Sequence, residues 1–196
     1  MPPRSRLLTE QRILDAVGQI LLEKGYPAVG VNQIARQAGC DKVLIYRYFG
    51  GLDELLLAFA ETTELWWEVD EIITESAEEC AAVALPDYLE TLLNRYVEAL
   101  ETRPLALEIM AWEMSEQNSL TDALAHRRSE RGMKLVKRIR EYYANPNIDI
   151  GGILGVFGAA INYLVIRTRK QSRQYKTEEW WRLQQTINRL LQSHAD

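Results

Sequence analysis

The stretch VNQIARQAGCDKVLIYRYF, residues 31–49, decides the fold of this chain. It predicts two short helices, Val31 to Ala38 and Lys42 to Phe49, because apolar residues recur three and four positions apart in each half. Gly39 permits a sharp turn between them, and Asp41 is a good N-cap for the second helix. Small residues before the turn let the two helices cross closely at a steep angle. The stretch therefore predicts a helix-turn-helix.

The second of these helices leaves most of its side chains free to face outward. Ile45 and Phe49, four positions apart, are the natural anchors to a core. Basic side chains on the outward face suit guanine edges and phosphates, and apolar ones suit thymine methyl groups. Near the start of the first helix, Asn32 can also reach a base or a phosphate. The residues that point to DNA on these grounds are Asn32, Lys42, Val43, Leu44, Arg47 and Tyr48.

Charge is unevenly distributed along the chain. The net charge of -5 over 196 residues argues against a nucleic-acid surface that covers the whole molecule. Residues 1–50, however, hold seven Lys and Arg against four Asp and Glu, a charge of +3, so the remainder carries -8. A basic head on an acidic body suits a protein that approaches DNA at one end only.

The whole chain is predicted to be all-α, because apolar residues recur at helical spacing almost throughout and strand-like alternation is absent. A helix is expected from about Thr9 to Lys24, ended by a left-handed Gly25 against which Tyr26 packs. After Gly50 and Gly51, a long helix is expected from Leu52 to about Cys80. With breaks near Pro86, Pro104 and Pro146, the remaining helices are expected at roughly 87–101, 104–116, 120–144, 148–171 and 177–193, which makes about nine in total. Two domains follow, residues 1–55 and residues 56–196.

The head resembles the amino-terminal signature of the TetR family of transcriptional regulators over about residues 9–55. Any pair of the matching positions is weak evidence, but eight or more match in order at fixed spacing, and the combination is specific. The matching residues are Gly25-Tyr26, Val31, Ile34-Ala35, Ala38-Gly39, Ile45-Tyr46, Tyr48-Phe49 and Asp53-Glu54-Leu55.

This resemblance implies that the helix Lys42 to Phe49 enters the major groove of double-stranded DNA. It adds Tyr46 to the candidates, because Tyr46 and Tyr48 stand where the family touches phosphate or packs beneath the recognition helix. Leu44 and Leu52 stand where many members have a hydroxyl residue and a lysine that contact phosphate, so we expect a modest salt dependence. Alanine at Arg47 should then weaken binding more than alanine at Tyr26.

The resemblance also implies a ligand-responsive homodimer, by the family's usual mode a repressor released from a palindromic operator when a small apolar molecule binds the body. Bulky side chains on the body helices are candidates for the ligand site, with ordinary core and dimer packing as the alternative. Nearby carboxylates suit a cationic ligand, or are solvated surface charges. The ligand candidates are Trp66, Tyr96, Met110, Trp112 and Phe157; the carboxylates are Glu64, Glu68, Glu108 and Glu113.

One uncharged segment, Ile150 to Ile166, raises the question of a membrane. At about 1.5 Å per residue its seventeen residues span only about 26 Å, which is marginal for a bilayer core of about 30 Å. Four glycines make one face of this helix narrow enough for close helix packing: Gly151, Gly152, Gly155 and Gly158. We therefore expect a homodimer through the helices at 148–171 and 177–193, with a membrane-associated scaffold as the alternative.

The sequence contains few of the motifs that are typical of an enzyme. Neither histidine, His126 or His194, has a metal-ligand partner three or four positions on, and no nucleophile motif stands near them. We expect no catalytic residues, metal or cofactor, and keep a helical acid-base enzyme as an alternative. With only Cys40 and Cys80 and no signal segment, a reducing cytoplasm is expected.

Overall fold

A computed structural model describes residues 3–62, 65–143, 148–169 and 178–192, and α-helices make up nearly all of these ranges. The all-α prediction is confirmed. One short 3₁₀ turn, Tyr26–Ala28, joins the first two helices. The helices are α1 Pro3–Lys24, α2 Val31–Ala38, α3 Lys42–Phe49, α4 Leu52–Thr62, α5 Val69–Ile72, α6 Ala77–Ala81, α7 Leu85–Glu101, α8 Pro104–Glu113, α9 Ser119–Tyr142, α10 Ile150–Thr168 and α11 Glu178–Gln192.

The helices form two compact units that do not follow the chain in a simple order. The first unit joins Met1–Leu65 to Pro104–His126, and the second joins Trp66–Arg103 to Arg127–Asp196. The helix-turn-helix therefore shares its unit with α8 and the start of α9. The division at residue 55 as a functional boundary stays a prediction.

The core of the first unit is built on the apolar face of α1. The predicted inward residues Ile13, Val17 and Ile20 are fully buried, and α1 packs against α2, α4 and α8. Gly18 lies at the approach of α8, where a Cβ atom would stand 3.5 Å from a methyl carbon of Leu105 and 3.5 Å from the Phe59 ring. Small size at Gly18 thus lets α8 lie close to the helices of the head.

Local caps set the ends of the helix-turn-helix as predicted. Both α2 and α3 have the predicted bounds, and the Asp41 side chain accepts a hydrogen bond from the Val43 N–H at 2.8 Å. Gly39 adopts the left-handed conformation, with φ 60° and ψ 44°. The prediction that α1 begins near Thr9 is wrong, because the helix already includes Pro3. An Arg6–Glu10 ion pair spans its added first turns.

The long helix predicted from Leu52 to Cys80 is also wrong. It is replaced by α4, α5 and α6, which raises the helix count from nine to eleven within the described residues. The Glu71 carboxylate accepts a hydrogen bond from the Glu68 N–H at 2.9 Å, at the start of α5. Ser76 and Glu79 exchange backbone and side-chain hydrogen bonds at the start of α6. Such capping boxes begin new helices, so they oppose one continuous helix.

The second unit packs around α7, which contacts α5, α10 and α11. Its fully buried side chains include Leu89 and Leu100 of α7 and Ile161 of α10. The predicted positions of α7 to α11 are confirmed within a few residues at each end. The predicted break at Pro146 lies outside the described residues.

Candidate functional site

Helix α3 presents most of the candidate DNA-binding side chains to solvent. Ile45 is fully buried and anchors the helix, while Phe49 is half-buried. Val43 is 60% exposed and Tyr46 54% exposed, a high exposure for side chains that are largely apolar. Tyr46 therefore does not pack beneath its own helix. Of the seven candidates, Asn32, Lys42, Val43, Tyr46 and Arg47 are exposed, and Leu44 and Tyr48 are half-buried.

An arginine of α1 holds the turn that precedes α3. Arg12 donates through Nε to the carbonyl oxygen of Ala38 at 3.1 Å, and through Nη2 to that of Gly39 at 2.9 Å. These carbonyls stand at the C-terminal end of α2, where no intrahelical donor is available. Sequence reasoning did not find this residue, because the carbonyls lie 26 and 27 positions away.

A second arginine of α1 lies beside the recognition helix. The guanidinium carbon of Arg6 stands 5.1 Å from the centre of the Tyr48 ring, within the range of a cation–π contact. Arg6 also donates to the Glu10 carboxylate at 2.8 Å, and this pair raises the pKa of Arg6. The side chain of Tyr48 thus extends from α3 toward the start of α1.

Two of the predicted ligand residues lie in α8, within the first unit. The ring of Trp112 stacks on that of Tyr26, with centroids 3.6 Å apart and planes 17° from parallel. Its indole N–H donates to the Glu116 carboxylate at 3.1 Å. Met110 is 2% exposed on the same helix. Tyr26 therefore stacks on α8, and Trp112 contacts the head.

The other three predicted ligand residues, Trp66, Tyr96 and Phe157, lie in the second unit. Trp66 and Phe157 are buried, at 5% and 7% exposure. The Tyr96 hydroxyl donates to Oδ1 of Asn162 at 2.6 Å, which joins α7 to α10. Burial raises the pKa of Tyr96, and the nearby Arg128 charge offsets part of the rise. The structure thus brings Trp66 and Tyr96 near one cation.

Sequence reasoning did not select three further residues that lie around Trp66 and Tyr96. Trp67 meets the Tyr96 ring edge-on, with centroids 5.5 Å apart, and Arg128 stands 5.7 Å from the centre of the Trp66 ring. The third is Asn162. The sequence does point to it, because it is the most polar residue in the uncharged segment Ile150 to Ile166. A polar group in such a helix needs a hydrogen-bond partner.

The acidic segment between Glu68 and Glu75 is paired with arginines of α7, of the α7–α8 connection and of α9. Glu75 has the strongest pair: Arg95 donates to its two oxygens at 2.6 and 2.8 Å, and this holds the pKa of Glu75 at about 2. Glu68, one of the carboxylates considered for a cationic ligand, accepts from Arg131 at 2.8 Å. Glu64 lies outside the described residues. The four pairs are Glu68–Arg131, Asp70–Arg138, Glu71–Arg103 and Glu75–Arg95.

Helix α10 is the one described helix that is long and apolar enough to cross a membrane, with a mean hydropathy of 1.6 over its best window. Only 22% of that window is buried within the chain. Val156 is 69% exposed and Tyr163 54% exposed. A Cβ atom at Gly155 or Gly158 would meet nothing within 4 Å. The described part of the chain leaves this helix face uncovered.

Comparison with known proteins identifies the head. The sequence model of a family described as bacterial regulatory proteins, tetR family, matches residues 13–59, which span most of α1 through most of α4. An HTH-type transcriptional regulator of Mycobacterium tuberculosis, itself uncharacterized, is 36% identical over 64 residues. The head of this chain, residues 13–59, is therefore similar to the TetR family. That M. tuberculosis match spans only about a third of the relative's length, 32%.

The likeness extends beyond the head at lower identity. The HTH-type transcriptional regulator SrpR of Pseudomonas putida is 23% identical over 177 residues, which is 85% of this chain and 79% of SrpR. Among solved structures, NalD of Pseudomonas aeruginosa has a TM-score of 0.61 at 20% identity, over 92% of this chain and 96% of NalD. GusR of Salmonella enterica has a TM-score of 0.60 at 18% identity, over 98% and 96% of the two chains. These structures confirm the TetR-family fold.

The relatives that the chain resembles are transcriptional regulators by name, and none of them is named as an enzyme. This likeness favours the prediction of a regulator. Within the residues that the structure describes, no three His, Cys, Asp or Glu side chains lie close enough to hold a metal ion. The roles of the individual residues remain predictions.

Proposed function

We propose that this chain is a cytoplasmic, homodimeric DNA-binding regulator that represses transcription from a palindromic operator until a small apolar molecule binds its second unit. The observation that carries the proposal is the exposed face of α3. Val43 and Tyr46 stay in solvent on a helix that Ile45 anchors and the Asp41 cap begins. Large apolar side chains held in solvent at a rigid site are typical of a binding surface.

The chemistry of this face fits the major groove. Lys42 and Arg47 can donate to guanine edges or phosphates, and Val43 and Leu44 can contact thymine methyl groups. Tyr46 and Tyr48 can donate their hydroxyls to phosphate. Few cations take part, so the affinity should fall only modestly as salt rises, by a slope of about -0.9 for each phosphate neutralised.

The second copy of the chain is assigned to the uncovered face of α10. Four small or apolar residues follow one face of this helix at three- and four-residue steps, namely Gly152, Val156, Ala159 and Tyr163, and all four are exposed. Trp181 and Leu190 of α11 are 60% and 50% exposed. Small residues let two helices approach closely, and a two-fold axis would set the recognition helices about 34–36 Å apart. A homodimer would thus cover the apolar surface without a membrane.

The ligand is assigned to Trp66, Tyr96 and Phe157, because these three candidates share one compact unit. Met110 and Trp112 belong to the unit of the head, so they are better placed to transmit a response than to bind the ligand that triggers it. A ligand releases DNA only through different affinities for the binding and non-binding conformations. NalD is described as the secondary repressor of a multidrug efflux pump, which supports repression as the mode.

The proposal is tested by selection of double-stranded DNA from a random library with the purified full chain, followed by fluorescence anisotropy. We expect enrichment of an inverted repeat whose half-sites lie about 10 base pairs apart, centre to centre, or a multiple of that spacing. The double variant Lys42→Ala, Arg47→Ala should lose this binding. Lys134→Ala, Lys137→Ala removes the same charge from α9 and should keep it. Sequence-independent binding alone would contradict the proposal.

A further inference from the structure

Two neighbouring tryptophans of the second unit are buried with their polar atoms unused. Trp66 is 5% exposed and Trp67 3% exposed. Neither indole N–H has a hydrogen-bond acceptor among the described residues. Buried N–H groups are nearly always paired in folded proteins, so an unpaired one calls for an explanation. Here two occur in consecutive residues.

The groups around this pair form an aromatic cluster with a positive charge. The Arg128 guanidinium lies over the Trp66 ring at 5.7 Å. The Tyr96 ring meets Trp67 edge-on at 5.5 Å, and the same Arg128 charge lowers the pKa of Tyr96 against the effect of burial. The Tyr96 hydroxyl donates a hydrogen bond to Oδ1 of Asn162 at 2.6 Å, so this hydroxyl already has its acceptor. The cluster therefore combines apolar rings, two unused donors and a cation.

The chemistry of these donors selects one kind of ligand. An indole N–H donates only, so its partner must be an acceptor such as a carboxylate oxygen. An ammonium group would leave both N–H groups unpaired and would stand near the Arg128 charge. We propose that the Trp66–Trp67 cluster binds an aromatic acid, whose rings contact the tryptophans and whose carboxylate accepts from the indole N–H groups and faces Arg128.

This inference rests on the proposed function, because it names the chemical class of the effector: a molecule with apolar rings and one carboxylate, instead of one that is apolar throughout. It also replaces the cationic ligand that the nearby carboxylates suggested. Glu68, the carboxylate directly after Trp67, accepts from Arg131 and lies 64% exposed. An Arg-paired, solvated carboxylate offers little to a buried cation.

The first experiment uses the unmodified full chain and size-matched probes. Tryptophan fluorescence and thermal unfolding would be followed with 2-naphthoate, benzoate and salicylate, and with 2-naphthylmethylammonium and 2-acetylnaphthalene. We expect 2-naphthoate to bind at least tenfold more tightly than the ammonium and to raise Tm by a few degrees. The neutral ketone, which has an acceptor but no charge, should fall between them. Equal or tighter binding of the ammonium overturns the proposal, as does no binding of any aryl carboxylate at about 1 mM.

Variants of the cluster separate the donors from the cation. Trp66→Phe and Trp67→Phe keep a ring but remove an N–H, and each should weaken 2-naphthoate binding about tenfold. Tyr142→Phe, which removes one polar hydrogen from an aromatic side chain at the end of α9, is the control and should change nothing. Arg128→Met should abolish the preference for naphthoate over the ammonium, and Arg128→Lys should restore part of it. Each preference is the ratio of the naphthoate and ammonium affinities of one and the same variant. A general loss of stability would lower both affinities and would not change their ratio. An unchanged preference in Arg128→Met overturns the role of the cation.

DNA binding to the selected operator distinguishes this inference from the function on which it rests. If the operator is bound but no aryl carboxylate binds, the effector class is wrong and the regulator stands. If naphthoate binds while no specific operator is found, the proposed function is wrong and the site stands. We expect both, with naphthoate lowering operator affinity at least tenfold.

Discussion

Two arginines of the head should affect DNA binding, one from the surface and one from beneath it. Arg47 is exposed on α3, where it can touch DNA directly. Arg12 donates to the backbone carbonyls of Ala38 and Gly39, which hold the turn that aims α3. The two arginines should therefore affect binding through different physical terms, and the salt dependence of the affinity separates them.

Replacement of Arg47 by alanine should weaken operator binding by about 1–3 kcal/mol, or roughly 5- to 150-fold. A direct contact is lost, so either the preference for one base pair relaxes or the salt slope falls by about 1. Fluorescence anisotropy over a range of salt concentrations measures both. Lys137→Ala on α9 is the matched charge control. Equal effects of the two variants would contradict a direct role for Arg47.

Replacement of Arg12 by alanine should weaken operator binding about tenfold and leave the salt slope unchanged. The lost hydrogen bonds lie inside the protein, so the number of neutralised phosphates stays the same. Arg12→Lys should recover part of the affinity, because a single ammonium can still reach one of the carbonyls. A decreased salt slope in Arg12→Ala would show instead that Arg12 contacts DNA.

At the scale of elements, the largest error of sequence reasoning was the helix from Leu52 to Cys80. Helical periodicity continues across this stretch, and the capping residues inside it compete with that periodicity. Ser76-Ala-Glu-Glu79 reads as a capping box and should have signalled a new helix. The Glu68–Glu71 box at the start of α5 is harder to recognise in the sequence, because its first residue is a glutamate and not the usual serine or threonine.

The Glu75–Arg95 pair ties the α5–α6 connection to α7 and should make stability depend on pH. The pKa of Glu75 falls from 4.5 to about 2 on folding, so its contribution is present above pH 4.5 and is lost as pH falls toward 2. The pair is about a quarter exposed, and with solvent screening we expect about 1–2 kcal/mol. Urea unfolding between pH 6 and pH 2 should show a shallower decline for Glu75→Gln. Glu78→Gln, at an exposed neighbouring position, is the control and should show the same pH dependence of unfolding free energy as the unmodified protein. The same dependence in Glu75→Gln would contradict a contribution from the pair.

The stack of Tyr26 on Trp112 joins the turn between α1 and α2 to α8 within the first unit. Tyr26→Ala should lower the free energy of unfolding by about 1–3 kcal/mol, because the stack and its burial are lost. Operator affinity should fall less than in Arg47→Ala, whereas release of the operator by ligand should be impaired. Trp112→Phe keeps an aromatic stack and serves as the control. Unimpaired release in Tyr26→Ala would exclude this contact from the response.

At the scale of the whole molecule, the surfaces that we propose for DNA and for a second copy lie in different parts of the sequence. The face of α3 lies in the basic part of the sequence, and the uncovered face of α10 lies in the acidic remainder. A stable protein–protein interface buries about 1,200–2,000 Å² or more in total. In the proposed homodimer, the exposed apolar residues of α10 and α11 supply that surface.

Arginine in place of Val156 should convert the protein to a monomer at micromolar concentration. The side chain is 69% exposed in one chain, so the charge is tolerated there but would be buried without a partner in the dimer. Sedimentation velocity in detergent-free buffer measures the change, and operator affinity should fall with it. Met133→Arg, at a 60% exposed position of α9, is the control. A detergent requirement for solubility would favour a membrane instead.

The sequence by itself determined the helix-turn-helix, the bounds of α2 and α3, and the resemblance of the head to the TetR family. These depend on residues within a few positions of one another: the Asp41 side chain caps Val43, and Gly39 takes a conformation that other residues avoid. Only the tertiary structure decided that Tyr26 stacks on Trp112, that Arg12 holds the turn, and that two buried indole N–H groups lack acceptors. These features join residues that are distant in the chain, and hydrophobic periodicity records which face of a helix is buried but not which partner covers it.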